Sequence, residues 1–132
     1  MPLVTITGAS QGLGAAIAYA FAQEPNAKLA LLARNKLRLD AVAEDCRALG
    51  CEAEAIACDV TNEAEVQKAA RFVLQRWGAT DILVNNAGLF LPGPLLETSS
   101  KDFEQQILVN LTSAFYVTQA FLPAMQAQKQ GH

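Results

Sequence analysis

Four short apolar runs, each set off from the next by a helical stretch, constrain this chain more than any other feature. The runs are residues 3–7, 29–33, 52–57 and 81–85. Segments separated by roughly a dozen or more helical residues cannot be hairpin partners; they need crossovers, which make neighbouring strands parallel and put helices on both faces. Right-handed crossovers then give an α/β fold, a doubly wound, Rossmann-like parallel sheet ordered 3-2-1-4. Its switch point lies between the first and fourth strands. A ligand is expected at the carboxyl ends of those two strands, so the loops after Thr7 and Val84 are the ones to inspect.

The helical stretches carry their own signals. Residues 12–24 place Leu13, Ile17 and Phe21 four apart, which predicts one buried face, and Pro25-Asn26 ends the helix. Over 35–49, Leu39, Val42 and Cys46 form a stripe that stops at Gly50. Asn62 with Glu65 reads as a capping box opening a helix to Trp77, which Gly78 ends. From about Ser100 to Gln128 a long helix steps through Phe103, Ile107, Leu111, Ala114, Thr118, Leu122 and Met125. A second set, Leu108, Phe115, Val117 and Phe121, makes it apolar on more than one side. Such a helix is expected to be buried twice, against its own sheet and against a partner, so a homo-oligomer through residues 103–128 is expected. With no polar tail or capping segment after that helix, residues 81–85 should leave an open sheet edge, a template for another strand.

At 132 residues the expectation is one dinucleotide-binding domain over 1–132. A 52% hydrophobic and 17% charged composition excludes a disordered segment. The net charge of −3 argues against nucleic acid and anionic membrane as partners. The longest apolar run, 15–22, falls short of a membrane span. Cys46, Cys51 and Cys58, with no secretory leader, read as reduced thiols of a cytoplasmic protein. The single histidine, His132, leaves no histidine-based metal site and no Ser-His-Asp triad.

The loop after the first strand reads Thr7-Gly8-Ala9-Ser10-Gln11-Gly12-Leu13-Gly14. Glycines there permit a tight turn, let backbone approach a pyrophosphate and leave the amides of the next helix facing negative charge. Gly14 lets that helix pack closely. Twenty residues beyond Gly14 is the position that chooses between cofactors: an acid bonds a free ribose 2′-hydroxyl, a base accommodates a 2′-phosphate. Here Ala33-Arg34-Asn35-Lys36 occupies it, with Arg38 close behind and no carboxylate before Asp40. Arg34, whose planar fork can bond two phosphate oxygens, is the expected clamp; Lys36 and Arg38 read as a solvated helix start. NADP(H) is therefore expected over NAD(H). Asp59, before Val60, could accept a bond from an adenine amino group. Asn86 could bridge neighbouring strands, and Ala87-Gly88 would let a cofactor lie against backbone.

Taken together these residues resemble the short-chain dehydrogenase/reductase family. Residues 7–14 match its TGxxxGxG motif, Asp59-Val60 its adenine-contacting position, and Asn85-Asn86-Ala87-Gly88 its NNAG motif. Asn110 falls where the family has the asparagine of its catalytic tetrad. The resemblance implies nicotinamide-dependent interconversion of a small-molecule carbonyl and alcohol, often by a tetramer. It also implies cofactor contacts by Thr7, Gly8, Ser10, Gln11, Gly12, Leu13, Gly14, Arg34, Asp59, Val60, Asn86, Ala87 and Gly88. Ala33 in place of an acid resembles the NADP(H)-preferring branch, although Gln11 stands where many such members carry a second basic residue.

The family's serine and its Tyr-x-x-x-Lys pair follow a fifth strand, which the 132 residues do not reach. Tyr19 is followed four positions on by Gln23, and Tyr116 by Ala120. Of the four catalytic groups only Asn110 stands here. The expectation is the cofactor-binding half of an oxidoreductase, inactive by itself. The alternatives are a nucleotide-binding module without turnover and a structural or dimerising half-fold.

Overall fold

A computed structural model describes residues 2–132 and turns the four runs into strands: β1 Leu3–Thr7, β2 Lys28–Ala33, β3 Glu52–Ala57 and β4 Ile82–Val84. Between them lie α1 Gly12–Ala22, α2 Lys36–Ala48 and α3 Glu63–Trp77. After β4 come a 3-10 turn at Leu95–Glu97, α4 Ser100–Ile107, a π-helical turn Leu108–Thr112 and α5 Ser113–Ala127. The strands pair in parallel in the order β3-β2-β1-β4, as the crossover argument requires. Ile6 sits between Leu31 and Val84, which fixes the register at the carboxyl ends where the site lies.

Side chains alternate across the sheet and supply two cores. On one face Val4, Ile6, Leu29 and Leu31 pack with Ala15 and Ala18 of α1 and with Leu39, Val42 and Cys46 of α2. On the other, Leu3, Ala30 and Leu32 meet Val66 and Val73 of α3 and Val117 and Phe121 of α5. Burying both faces explains why β1 and β2 read as near-continuous apolar runs rather than alternating ones. Thr5 is buried in β1, and its hydroxyl is satisfied by the Thr80 hydroxyl at 2.8 Å.

Four expectations are corrected. The face that α1 buries fully is Gly14, Ala15, Ala18 and Ala22; of the expected line, Ile17 and Phe21 pack partly buried beside it and Leu13 is exposed. Small residues let this helix lie close to the sheet, which a leucine on that face would prevent. In α5 the buried line is Ser113, Val117, Phe121 and Met125, while Phe103 and Ile107 of α4, Leu111 of the π-helical turn, and Phe115 and Leu122 of α5 are exposed. The helical stretch Ser100–Ala127 is, contrary to the reading of 15–22, long and apolar enough to cross a membrane by length and composition. Its α5 part packs on α3 through Val117 and Phe121 of the second core.

The fourth correction concerns the end of the chain and the β4 edge. Gln128 donates to the Thr80 carbonyl at 3.1 Å, and Gln130 donates to Asp81 Oδ1 at 3.3 Å. His132 then donates its amide to the Asp81 carbonyl at 2.8 Å, and its carbonyl accepts the Leu83 amide at 2.9 Å. These two bonds straddle Ile82 in the parallel pattern. The tail therefore covers the start of an edge expected to be bare.

Candidate functional site

A cleft of about 730 Å³ opens at the carboxyl ends of the strands, between the loops that follow β1, β2, β3 and β4. Its construction starts at Thr7, which is buried in the last position of β1. The Thr7 hydroxyl accepts the amides of Asn86 and Ala87, each at 3.0 Å. Asn86 returns the contact: its Nδ2 donates to the carbonyls of Thr7 at 3.1 Å and Gly8 at 3.2 Å. The loops after β1 and β4 are thus tied together by side chains where the sheet's own ladder ends. Thr7 lies under the cleft floor rather than on its wall, so its part is to position.

The glycines follow from this closeness. A Cβ on Gly8, which sits at φ +64, would come within 2.9 Å of the Ala87 Cα. A Cβ on Gly14 would stand 2.2 Å from the Gly8 carbonyl oxygen and 2.5 Å from Asn86 Nδ2. Gly14 therefore packs α1 against its own loop and the Asn86 amide. Ser10, Gln11, Gly12 and Leu13 line the cleft, as do Asp59, Val60, Ala87 and Gly88.

Arg34, directly after β2, is exposed on the cleft wall, and Ala33 beside it brings no carboxylate. Across the cleft Asp59 Oδ1 accepts the Thr61 hydroxyl at 2.7 Å and the Thr61 amide at 3.0 Å. Burial pushes the Asp59 carboxyl up, but the two Thr61 bonds and the nearby Arg34 charge outweigh it and hold the group below its usual range. It is a fixed anion at neutral pH, with Oδ2 unpartnered among the described residues. Asn62 caps α3 by accepting the Glu65 amide at 3.1 Å, but the expected reciprocal bond is not made. The Glu65 carboxylate instead reaches the Asp59 amide at 3.3 Å, so it braces the site. Cys58 also lines the cleft; burial, then Glu65 and Asp59, push its thiol up to about 11, so it stays protonated.

Asn110 lies in the π-helical turn beside the cleft, next to Val109 on its wall. Its Oδ1 would stand 3.1 Å from a Cβ on Gly88. Both ends of its amide bond the Leu89 backbone. The turn exists because the Ser113 amide reaches back five residues to the Leu108 carbonyl. The Val109 carbonyl, its ordinary helical acceptor, takes the Ser113 hydroxyl instead at 2.5 Å. One-residue insertions of this kind are a recurring device at functional sites.

Sequence reasoning missed Asn35, Thr61, Val109 and above all Arg38 on the cleft wall. Arg38 is not simply solvated: its Nη1 donates to Gln11 Oε1 at 2.6 Å. The signal was the crowding of three basic residues after β2. Lys36 fits the solvated reading, pairing with Asp40 and with the Ala55 carbonyl.

The cleft fits a dinucleotide. Gly12 leaves open space where a Cβ would stand, the loop amides begin a helix, two guanidinium groups line one wall and one carboxylate the other. The short chain dehydrogenase profile matches residues 2–132. The chain belongs to that family. It is similar to estradiol 17-beta-dehydrogenase 11 of Mus musculus, 38% identical over 130 residues, which cover 98% of this chain and 43% of that one. Sepiapterin reductase of Chlorobaculum tepidum is 35% identical over 136 residues, covering 98% of this chain and 56% of the reductase. Among solved structures, a metagenomic short-chain oxidoreductase in complex with NADP superposes with a TM-score of 0.92 at 39% identity, over 99% of this chain and 59% of the other. NAD+-bound xylitol dehydrogenase gives a TM-score of 0.94 at 34% identity, over 98% and 50%. The chain thus spans about half the length of the relatives it matches.

Proposed function

We propose that this chain is the cofactor-binding part of an NADP(H)-dependent oxidoreductase that interconverts a small-molecule carbonyl and alcohol. The observation that carries the reading is Arg34, a guanidinium on the cleft wall where an acid would select NAD(H), with Ala33 beside it. NAD(H) binds less well in this reading. When bound, the cofactor supplies or accepts a hydride. The chain's own residues bind and orient: the amides of the 8–14 loop take the pyrophosphate, Arg34 the 2′-phosphate and Asp59 the adenine amino group. Asn110 sets the backbone around Leu89 beside the reacting end.

The 132 residues alone bind cofactor without reducing a carbonyl at a useful rate. Hydride transfer needs a proton donor at the developing alkoxide, worth roughly a hundred- to ten-thousand-fold. Tyr19 does not fill that role: burial raises its phenol, and its bond to Asp45 raises it further, the reverse of an activated donor. A binding module without turnover remains the alternative for the same reason. We also place the chain in a homo-oligomer through residues 103–128, on the exposed Phe103, Ile107, Leu111 and Phe115, and in the cytoplasm, where unbridged Cys46, Cys51 and Cys58 would persist. Nucleic acid and membrane are not its partners in this reading.

Calorimetric titration of the chain with NADP+ and with NAD+ tests the assignment. Tighter binding of NADP+ is expected; equal affinities would overturn it.

A further inference from the structure

We infer that Arg38, delivered from α2 and held by Gln11, is the second cation of the phosphate pocket and a determinant of cofactor choice alongside Arg34. This rests on the NADP(H) reading above and assigns it a residue that the sequence pattern passed over. The glycine-rich loop brings no cation of its own to the cleft: residues 7–14 contain no Lys or Arg, and Gln11 is a neutral amide. The structure brings a guanidinium to Gln11 from the first turn of α2: Arg38 Nη1 to Gln11 Oε1 is 2.6 Å. Both residues line the cleft with Arg34.

Three observations separate this from an incidental surface contact. First, Gln11 holds Arg38 without cancelling its charge, and neither Arg34 nor Arg38 has an ion-pair partner among the described residues. A guanidinium has five donors, so most of the fork stays available. Second, Lys36, in the same turn, is drawn off to Asp40 and the β3 backbone, so the two arginines are not interchangeable with a general cloud of charge. Third, Arg38 sits in the first turn of α2, which contains no acid. A cation at a helix N-terminus opposes the helix dipole, so helix stability does not account for its placement. An anion held there would relieve both charges at once. Among the cleft-lining residues the only carboxylate is Asp59, fixed by Thr61. A dianionic phosphate between two guanidinium forks, near the start of α2, is the ligand group this arrangement suits.

The test uses the full chain and calorimetric affinities for NADP+ and NAD+, with circular dichroism to confirm folding. Arg38→Ala should weaken NADP+ about tenfold or more, the loss expected for a charge-assisted bond, and leave NAD+ within about twofold. Gln11→Lys in the Arg38→Ala background should restore NADP+ affinity, because it returns a cation to the same place. Gln11→Glu alone should weaken NADP+ selectively by neutralising Arg38. Equal weakening of both cofactors by Arg38→Ala, or none, would overturn the role of Arg38. If Arg34→Asp abolishes the preference while Arg38→Ala does not, only the present inference falls. If the unmodified chain shows no preference, the NADP(H) reading falls and takes this one with it.

Discussion

Asn110 grips one residue by both of its backbone groups: Oδ1 accepts the Leu89 amide at 2.8 Å, and Nδ2 donates to the Leu89 carbonyl at 2.7 Å. The side-chain amide is therefore committed to shaping the segment after β4. Asn110→Ala removes both bonds at an exposed position and should lower stability by about 1 kcal/mol, a fall of roughly 3–5 °C in melting temperature for a chain this size. Faster exchange of the Leu89 amide should accompany it. Ser113→Ala should speed the same exchange from a distance, since the Ser113 hydroxyl holds the Val109 carbonyl that the π-helical turn leaves over. Unchanged Leu89 exchange in Ser113→Ala would show that the turn does not depend on that hydroxyl.

Gly14→Ala should be the most damaging single methyl in the loop. The added carbon meets the Gly8 carbonyl and the Asn86 amide, both fixed by their own bonds. A cost of about 3 kcal/mol is expected, at the upper end for overpacking. Gly12→Ala enters open space at φ +57 and should cost only the left-handed backbone penalty, about 1 kcal/mol. Urea midpoints of the two variants give the comparison.

Arg34→Asp should shift cofactor preference toward NAD(H). The charge-assisted bond it removes is worth roughly 1.5–3 kcal/mol, and the new carboxylate would repel a 2′-phosphate. Paired titrations with NADP+ and NAD+ measure the change.

Alkaline pH should weaken the fold through its thiols. Cys46 is pushed up to about 11, first by burial and then by Cys51 and Asp45, and Cys58 to about 11 by burial, Glu65 and Asp59. The folded values exceed the ordinary 9.0, so the unfolded chain gives up these protons first. Their contribution is complete below about pH 9 and is lost as pH rises toward 11. Denaturant midpoints should fall over that window, and fall less in Cys46→Ala. Native protein at pH 7 should react with iodoacetamide only as fast as it opens.

How much was legible in the sequence depended on how local the signal was. The strands and their order followed from runs and crossovers, and β1 and β3 have the expected bounds. Asn35 and Asn62 announce helix starts because a cap needs only its own first turn. The buried face of α1 was misread because spacing marks large residues, whereas this helix seats small ones against Gly8 and the sheet. Arg38 was passed over because its partner Gln11 is 27 positions away, and nothing in either residue's neighbourhood records the meeting. The π-helical turn is likewise invisible to periodicity: an extra residue shifts the register by part of a turn, and the apolar spacing absorbs it. The tail escaped notice because Gln128 and Gln130 meet Asp81 across 47 and 49 positions, and nothing local to either end records it.

The parallel bridge between His132 and Ile82 has a consequence for how two copies can meet. A pair of identical molecules related by a twofold axis can join edge strands only in antiparallel fashion, one continuous sheet running through both. On β4 that junction would need the Leu83 amide and the Asp81 carbonyl, and His132 already holds both. A dimer joined through this stretch of β4 would first have to displace His132, whereas Phe103, Ile107, Leu111 and Phe115 already face outward.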